Sequence, residues 1–233
     1  MTQRRFGVMA AMTAVAVATA CADGAGLDGT SGQVEVTMQQ AASSPAATSE
    51  FAVFLSANGS QGRVDPSLVT ELLVTVTRIG FLPAEPMDGD PMDGDPDEDP
   101  DDTMWIWLEL PEPVTLNLMA LPIEADPPIV IAAGEVAVGD YRKVRMIVAG
   151  ALVSFGEDVS VGQQVYAAAE PHEVTVPSGA QSGLKTDAVF SVLADDLGDP
   201  TEVNILFDPD ATFKNVVATG SGKINLTPVI KSH

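Results

Sequence analysis

LLVTVT, residues Leu72 to Thr77, decides the fold class, because Leu72, Val74 and Val76 fall on one side of an extended chain and Leu73, Thr75 and Thr77 on the other. A period of two places apolar side chains on one sheet face and leaves the other face more polar. The pattern recurs along the chain. Val34, Val36 and Met38 alternate with Glu35, Thr37 and Gln39, and Val144, Met146 and Val148 with Lys143, Arg145 and Ile147. Val203, Ile205 and Phe207, then Ile224, Leu226 and Ile230, extend it to the end. Helical spacing competes only in short pieces such as Pro66 to Leu73. Many short strands separated by Gly and Pro turns imply an all-β fold, an antiparallel β-sandwich with Greek-key-like connections.

Of the 233 residues, the first 32 or so lack this pattern, which sets the one strong boundary near Gly32. The expected organisation is a signal segment over 1–20, a tether over 21–32 and one β-sandwich over 33–233. About 200 residues can bury roughly 70% of the surface of the unfolded chain, so no covalent staple is required. Cys21 is the single cysteine, which rules out a disulfide within the chain.

MTQRRFGVMAAMTAVAVATAC, Met1 to Cys21, has a basic start at Arg4 and Arg5, an apolar run from Phe6 to Thr19 and small residues before the cysteine. This is the layout of an export signal, and the run is shorter than the roughly 20 residues that span a bilayer. Ala20-Cys21 resembles the bacterial lipobox, with Ala18 where that motif usually has Leu. The resemblance implies acylation of Cys21 and a stable lipid anchor, since several acyl chains hold where one is marginal. Gly7 and Val8 fit the twin-arginine motif poorly, which favours the general secretion route. The following 11 residues, 22–32, are Gly-rich and small, a flexible tether with a reach of about 18 Å.

Charge narrows the partners. The chain carries 33 acidic and 11 basic residues, and loss of Arg4 and Arg5 with the signal leaves 33 against 9, a balance of −24. Nucleic acid is therefore excluded, since its binding depends on cations that neutralise phosphates. Anionic headgroups are disfavoured for the same reason, so membrane attachment rests on Cys21.

Much of the acidity sits in Glu85 to Asp102, where 10 of 18 residues are acidic and none is basic. Pro86, Pro91, Pro96 and Pro100 forbid a helix or a ladder, and the composition is that of a disordered loop inserted between strands. A second reading is weak, low-specificity Ca²⁺ binding by Asp88, Asp90, Asp93 and Asp95, whose Gly-punctuated spacing supplies hard oxygen donors. The closing Glu and flanking helices of an EF-hand are missing, and no other cofactor is implied.

Catalytic constellations fail on inspection. His172 and His233 are the only histidines, too few for a three-histidine metal site, and His172 sits in a Pro-flanked loop. Ser182 lacks the spacing of a nucleophile elbow, and GSGK at Gly220 to Lys223 lacks most of a phosphate loop. Trp105 and Trp107, at i and i+2, share one strand face opposite Ile106 and Leu108. They suit either a sugar-stacking platform or a face that packs inward or beneath the acidic loop.

VTVTRI (74–79), WIWLEL (105–110), VTLNLMAL (114–121), GDYRKVRMIV (139–148), VPSGAQSGLK (176–185) and KINLTPVIK (223–231) stand in an order that resembles the family catalogued as domain of unknown function 4382. The resemblance spans most of Val34 to Lys231, and it implies an exported bacterial lipoprotein. Within VPSGAQSGLK, Gly179 and Gly183 suit positive-φ turn positions ahead of a strand at Leu184. Asn117 stands where family members often have Asp, and Leu206 replaces the first acidic residue of an Asp-Phe-Asp-Ala stretch, leaving LFDPDA. The expected protein is a non-catalytic binding or structural module, anchored at the outer membrane and facing a glycan or an envelope protein. The rivals are a polysaccharide-active hydrolase and a Ca²⁺-dependent adhesion module.

Overall fold

The computed structural model describes residues 31–42, 61–84, 104–177, 179–194, 199–214 and 216–232. Cys21, Asp88, Asp90, Asp93 and Asp95 lie outside these residues, as does the whole acidic stretch 85–102. Two sheets pack face to face. The smaller has the order β14-β11-β1-β5, built from β1 (Ser31–Gln40), β5 (Ile129–Ala137), β11 (Thr201–Asp208) and β14 (Val229–Ser232). The larger runs β2-β12-β13-β9-β6-β3-β4, with β10 (Leu184–Val192) also on β6. Its members are β2 (Gln61–Gly62), β3 (Val69–Pro83), β4 (Ile106–Asn117), β6 (Gly139–Phe155), β9 (His172–Thr175), β12 (Val216–Ala218) and β13 (Ile224–Asn225). A small hairpin of β7 (Val159–Val161) and β8 (Gln164–Tyr166) forms its own two-stranded sheet and packs Val159, Val161 and Tyr166 into the same core.

The all-β sandwich is as expected, and the alternation explains its core. Val34, Val36 and Met38, with Val203, Ile205 and Phe207, face Leu72, Val74, Val76, Val144, Met146 and Val148 in one continuous cluster. Each such side chain contributes about 1.5–3 kcal/mol by leaving water. The antiparallel expectation needs correction at two pairs, since β1 runs parallel to β11 and β13 parallel to β9. Long connections that change sheet allow this: β1 and β11 are far apart in sequence and need no hairpin. The tether boundary also shifts, because Ser31 and Gly32 belong to β1. A Cβ at Gly32 would collide with Leu193 O, and this close approach is what recruits the glycine into the sheet.

Both edges of β6 are occupied. β3 pairs along one edge from Val69↔Phe155 to Pro83↔Tyr141. The other edge is shared, with β10 on Gly139 to Met146 and β9 on Ala151 to Val153. The VPSGAQSG turn fills the gap between them, where Val148 N donates to Gly179 O at 3.0 Å. Gly183 has φ 64°, as expected of that turn, and a Cβ there would strike Met146 O. At Gly179 the lack of a side chain lets Val176 approach to 3.0 Å of its would-be Cβ.

At the β5–β6 corner, Tyr141 is fully buried and stacks on Phe190 at 5.1 Å, edge-on to Phe81 at 6.0 Å. Its hydroxyl donates to Ala137 O at 2.6 Å. Burial pushes the phenol up to about 12 from 10.0. Because the folded state holds its proton where the unfolded chain loses it, this stabilising term is intact below pH 10 and is lost as pH rises to about 12. Tyr141→Phe should cost about 1 kcal/mol at neutral pH through the missing hydrogen bond. Its deficit against wild type should shrink or invert in alkali. Urea unfolding of both proteins at about pH 8 and about pH 11.5 checks this, and a constant deficit would contradict it.

Candidate functional site on the outer face of the large sheet

The bulge at Thr77 keeps Leu73 and Thr75 on the same outer face as Arg78, Gly80 and Leu82. Across the strands, Trp107, Gly80, Arg145 and Lys185 form one register row. Leu82, Lys143 and Asp187 form the next, and Glu109, Arg78 and Ile147 lie on the other side. The face thus gathers cations and indoles on β10, β6, β3 and the end strand β4.

Gly80 makes the arrangement possible. Both indoles lie over its bare backbone, so a Cβ there would sit 2.8 Å from Trp107 Cζ3 and 3.1 Å from Trp105 Cε3. The rings are 6.2 Å apart at 31°. Arg78 Cζ stacks 3.9 Å from the centre of Trp107, and Arg145 Cζ stands 5.4 and 5.3 Å from Trp105 and Trp107. Cation–π contacts of this kind contribute about 0.5–1 kcal/mol when exposed and about 2 when desolvated. Arg145, expected on a solvated face, is instead only 3% exposed and donates through Nη2 to Gln181 O of the VPSGAQSG turn. Trp105 is 4% exposed, whereas Trp107 is half-buried and keeps accessible surface. The two tryptophans do share a face, outside the sandwich core, but only Trp107 is open to a ligand.

Farther along the same face a half-open groove of about 580 Å³ is lined by Leu73, Thr75, Thr115, Leu152, Val176 and Ala180, among others. The Thr75 and Thr115 hydroxyls are 2.9 Å apart, and Glu173 pairs with Lys223 at 2.7 Å on the rim. Leu152 is 37% exposed. Sequence reasoning missed this groove. Its signal was the run Val148-Ala149-Gly150-Ala151, where β6 presents almost no side chain outward.

The remaining singled-out residues serve the fold. His172 packs 5.1 Å from Tyr166 and 6.0 Å from Phe155, with Nε2 donating to Ala167 O at 2.9 Å. GSGK is the β12–β13 turn, with Gly222 at φ 81° and Lys223 in the ion pair already described. Asn117 Oδ1 accepts from Leu72 N and Met119 N, both at 3.2 Å, a role that a carboxylate fills equally well. In LFDPDA, Asp208 caps the turn at Pro209 by accepting from Ala211 N at 2.9 Å, and it pairs with Lys231 at 2.5 Å. Burial would raise its carboxyl, but Lys231 and the Ala211 and Asp210 amides outweigh that and hold it below its ordinary value. Among the described residues no group of three His, Cys, Asp or Glu is placed to hold a metal.

Gly80→Ala should therefore displace both indoles, cost about 1–3 kcal/mol and alter tryptophan emission. Gly150→Ala, whose Cβ would meet nothing within 4 Å, should change stability by less than about 0.5 kcal/mol. Thermal unfolding followed by fluorescence distinguishes them, and equal behaviour would contradict the packing described.

No curated protein and no solved structure shows a significant match to the chain. The family model described as "Domain of unknown function (DUF4382)" matches residues 48–228, which cover the indole face, the groove and the turn that flanks them. The chain therefore belongs to the DUF4382 family.

Proposed function

We propose that the protein is an exported envelope lipoprotein, anchored to the outer membrane through acylated Cys21, whose sandwich is a non-catalytic binding module for a glycan or an envelope protein. The observation that carries the binding role is the outer face of the large sheet, where the 580 Å³ groove continues into the indole and cation rows. The export signal supports the anchor, and the −24 balance leaves lipidation as the means of holding an acidic domain at a membrane. A hydrolase would need two facing carboxylates in a cleft. Among the described residues lining the groove Glu173 is the one carboxylate, and Lys223 neutralises it.

Two variants test the proposal. Cys21→Ser should move the protein from the membrane fraction to the soluble exported fraction. Leu152→Glu puts a charge on an exposed groove position and should leave thermal stability nearly unchanged while abolishing retention of envelope glycan or protein by the detergent-solubilised full chain. Cys21→Ser remaining membrane-bound would contradict the anchor, and Leu152→Glu retaining the wild-type ligands would contradict the groove.

A further inference from the structure

Resting on that binding role, the geometry points to an anionic polysaccharide as the ligand of the outer face. Four of the nine basic residues that follow Cys21 stand on two adjoining register rows and the row beside them: Arg78, Lys143, Arg145 and Lys185. In a chain with 33 acidic residues this concentration of positive charge gives the face a site suited to a polyanion. Arg145 is buried and orders the indoles, so Arg78, Lys143 and Lys185, which are only partly covered, are the groups that meet the ligand.

Two acidic neighbours share the face. Glu109 reaches Arg78 and Asp187 reaches Lys143, each at 3.8 Å, with the carboxylates 66% and 87% exposed. Pairs this long and solvated contribute about 0–1 kcal/mol, so a ligand carboxylate can replace them at small cost. Trp107 lies in the same rows, with Arg78 stacked on its ring and part of its surface free. An apolar sugar face beside a carboxylate matches an indole beside a guanidinium.

The shape favours a chain. From the Leu82 row to the Leu73 row the face runs about 25 Å at the rise of a strand, passing from cations and indole to the Thr75 and Thr115 hydroxyls and the groove. Several sugar rings in line fit such a length. A peptide usually binds a sheet by adding a strand to a free edge. Among the described strands both edges of β3 and of β6 are paired and β4 ends the sheet, so a ligand lying across the face, rather than along the β4 edge, meets side chains.

Isothermal titration calorimetry of the detergent-solubilised full chain with polygalacturonate, dextran and polyglutamate tests the inference. Polygalacturonate should bind and weaken with added salt, dextran should bind far more weakly, and polyglutamate should not compete. The double variant Arg78→Gln, Lys143→Gln should lower the melting temperature by only about 2–4 °C, through the lost cation–π stack, and lose about tenfold or more in affinity. Lack of polygalacturonate binding by the wild type, equal binding of dextran, equal binding of polyglutamate, or an unaffected double variant would each overturn the inference. In every one of those cases Leu152→Glu still losing its envelope ligand would leave the binding role standing with a different partner.

Discussion

Every buried backbone amide on β6 needs a partner, and meeting that requirement along 17 residues organises the rest of the molecule. β3 satisfies one edge. No single strand satisfies the other. β10 and β9 divide it, and the turn from Val176 to Gly183 closes the interval by offering Gly179 O to Val148 N. Gly183 enters the left-handed region and Gly179 tolerates Val176 at close range, so this turn can run against β6 without collision. The same turn supplies Gln181 O to Arg145, which ties the backbone requirement directly to the chemistry of the outer face.

That face is built by subtraction as much as by addition. Gly80 removes a side chain so that two indoles can lie on the sheet, and Ala149-Gly150-Ala151 removes others so that a groove remains beside them. Rings and guanidinium groups then fill the first space and leave the second open. Arg145 is held between the indoles and the turn, so its guanidinium is fixed in place and in turn orders both rings.

Legibility in the sequence followed the physics of each feature. The strands of the core were readable because a one-residue slip would turn Val34, Val36 and Met38 to solvent, so their register is strongly constrained. Residues that are buried on both faces were not. Gln39, on the face opposite Met38, is 4% exposed because it donates to Asp126 O and accepts from Asn204, contacts made by distant segments. The parallel pairing of β1 with β11 likewise depends on tertiary neighbours, which alternation does not encode. At the candidate site, the tryptophan pair was visible by its spacing, but the partition into one buried and one accessible ring depends on Gly80, Arg78 and Arg145 across three strands.

The central claim is that β6, closed on both edges by β3, β9, β10 and the Val176 to Gly183 turn, is the rigid element on which the outer face is mounted. Native-state hydrogen exchange tests it residue by residue. Amides of 141–155 should exchange only with global unfolding, and Val148 should be as slow as its neighbours because Gly179 O protects it. Rapid exchange at 147–150, at the rate of the terminal strand β14, would contradict the account.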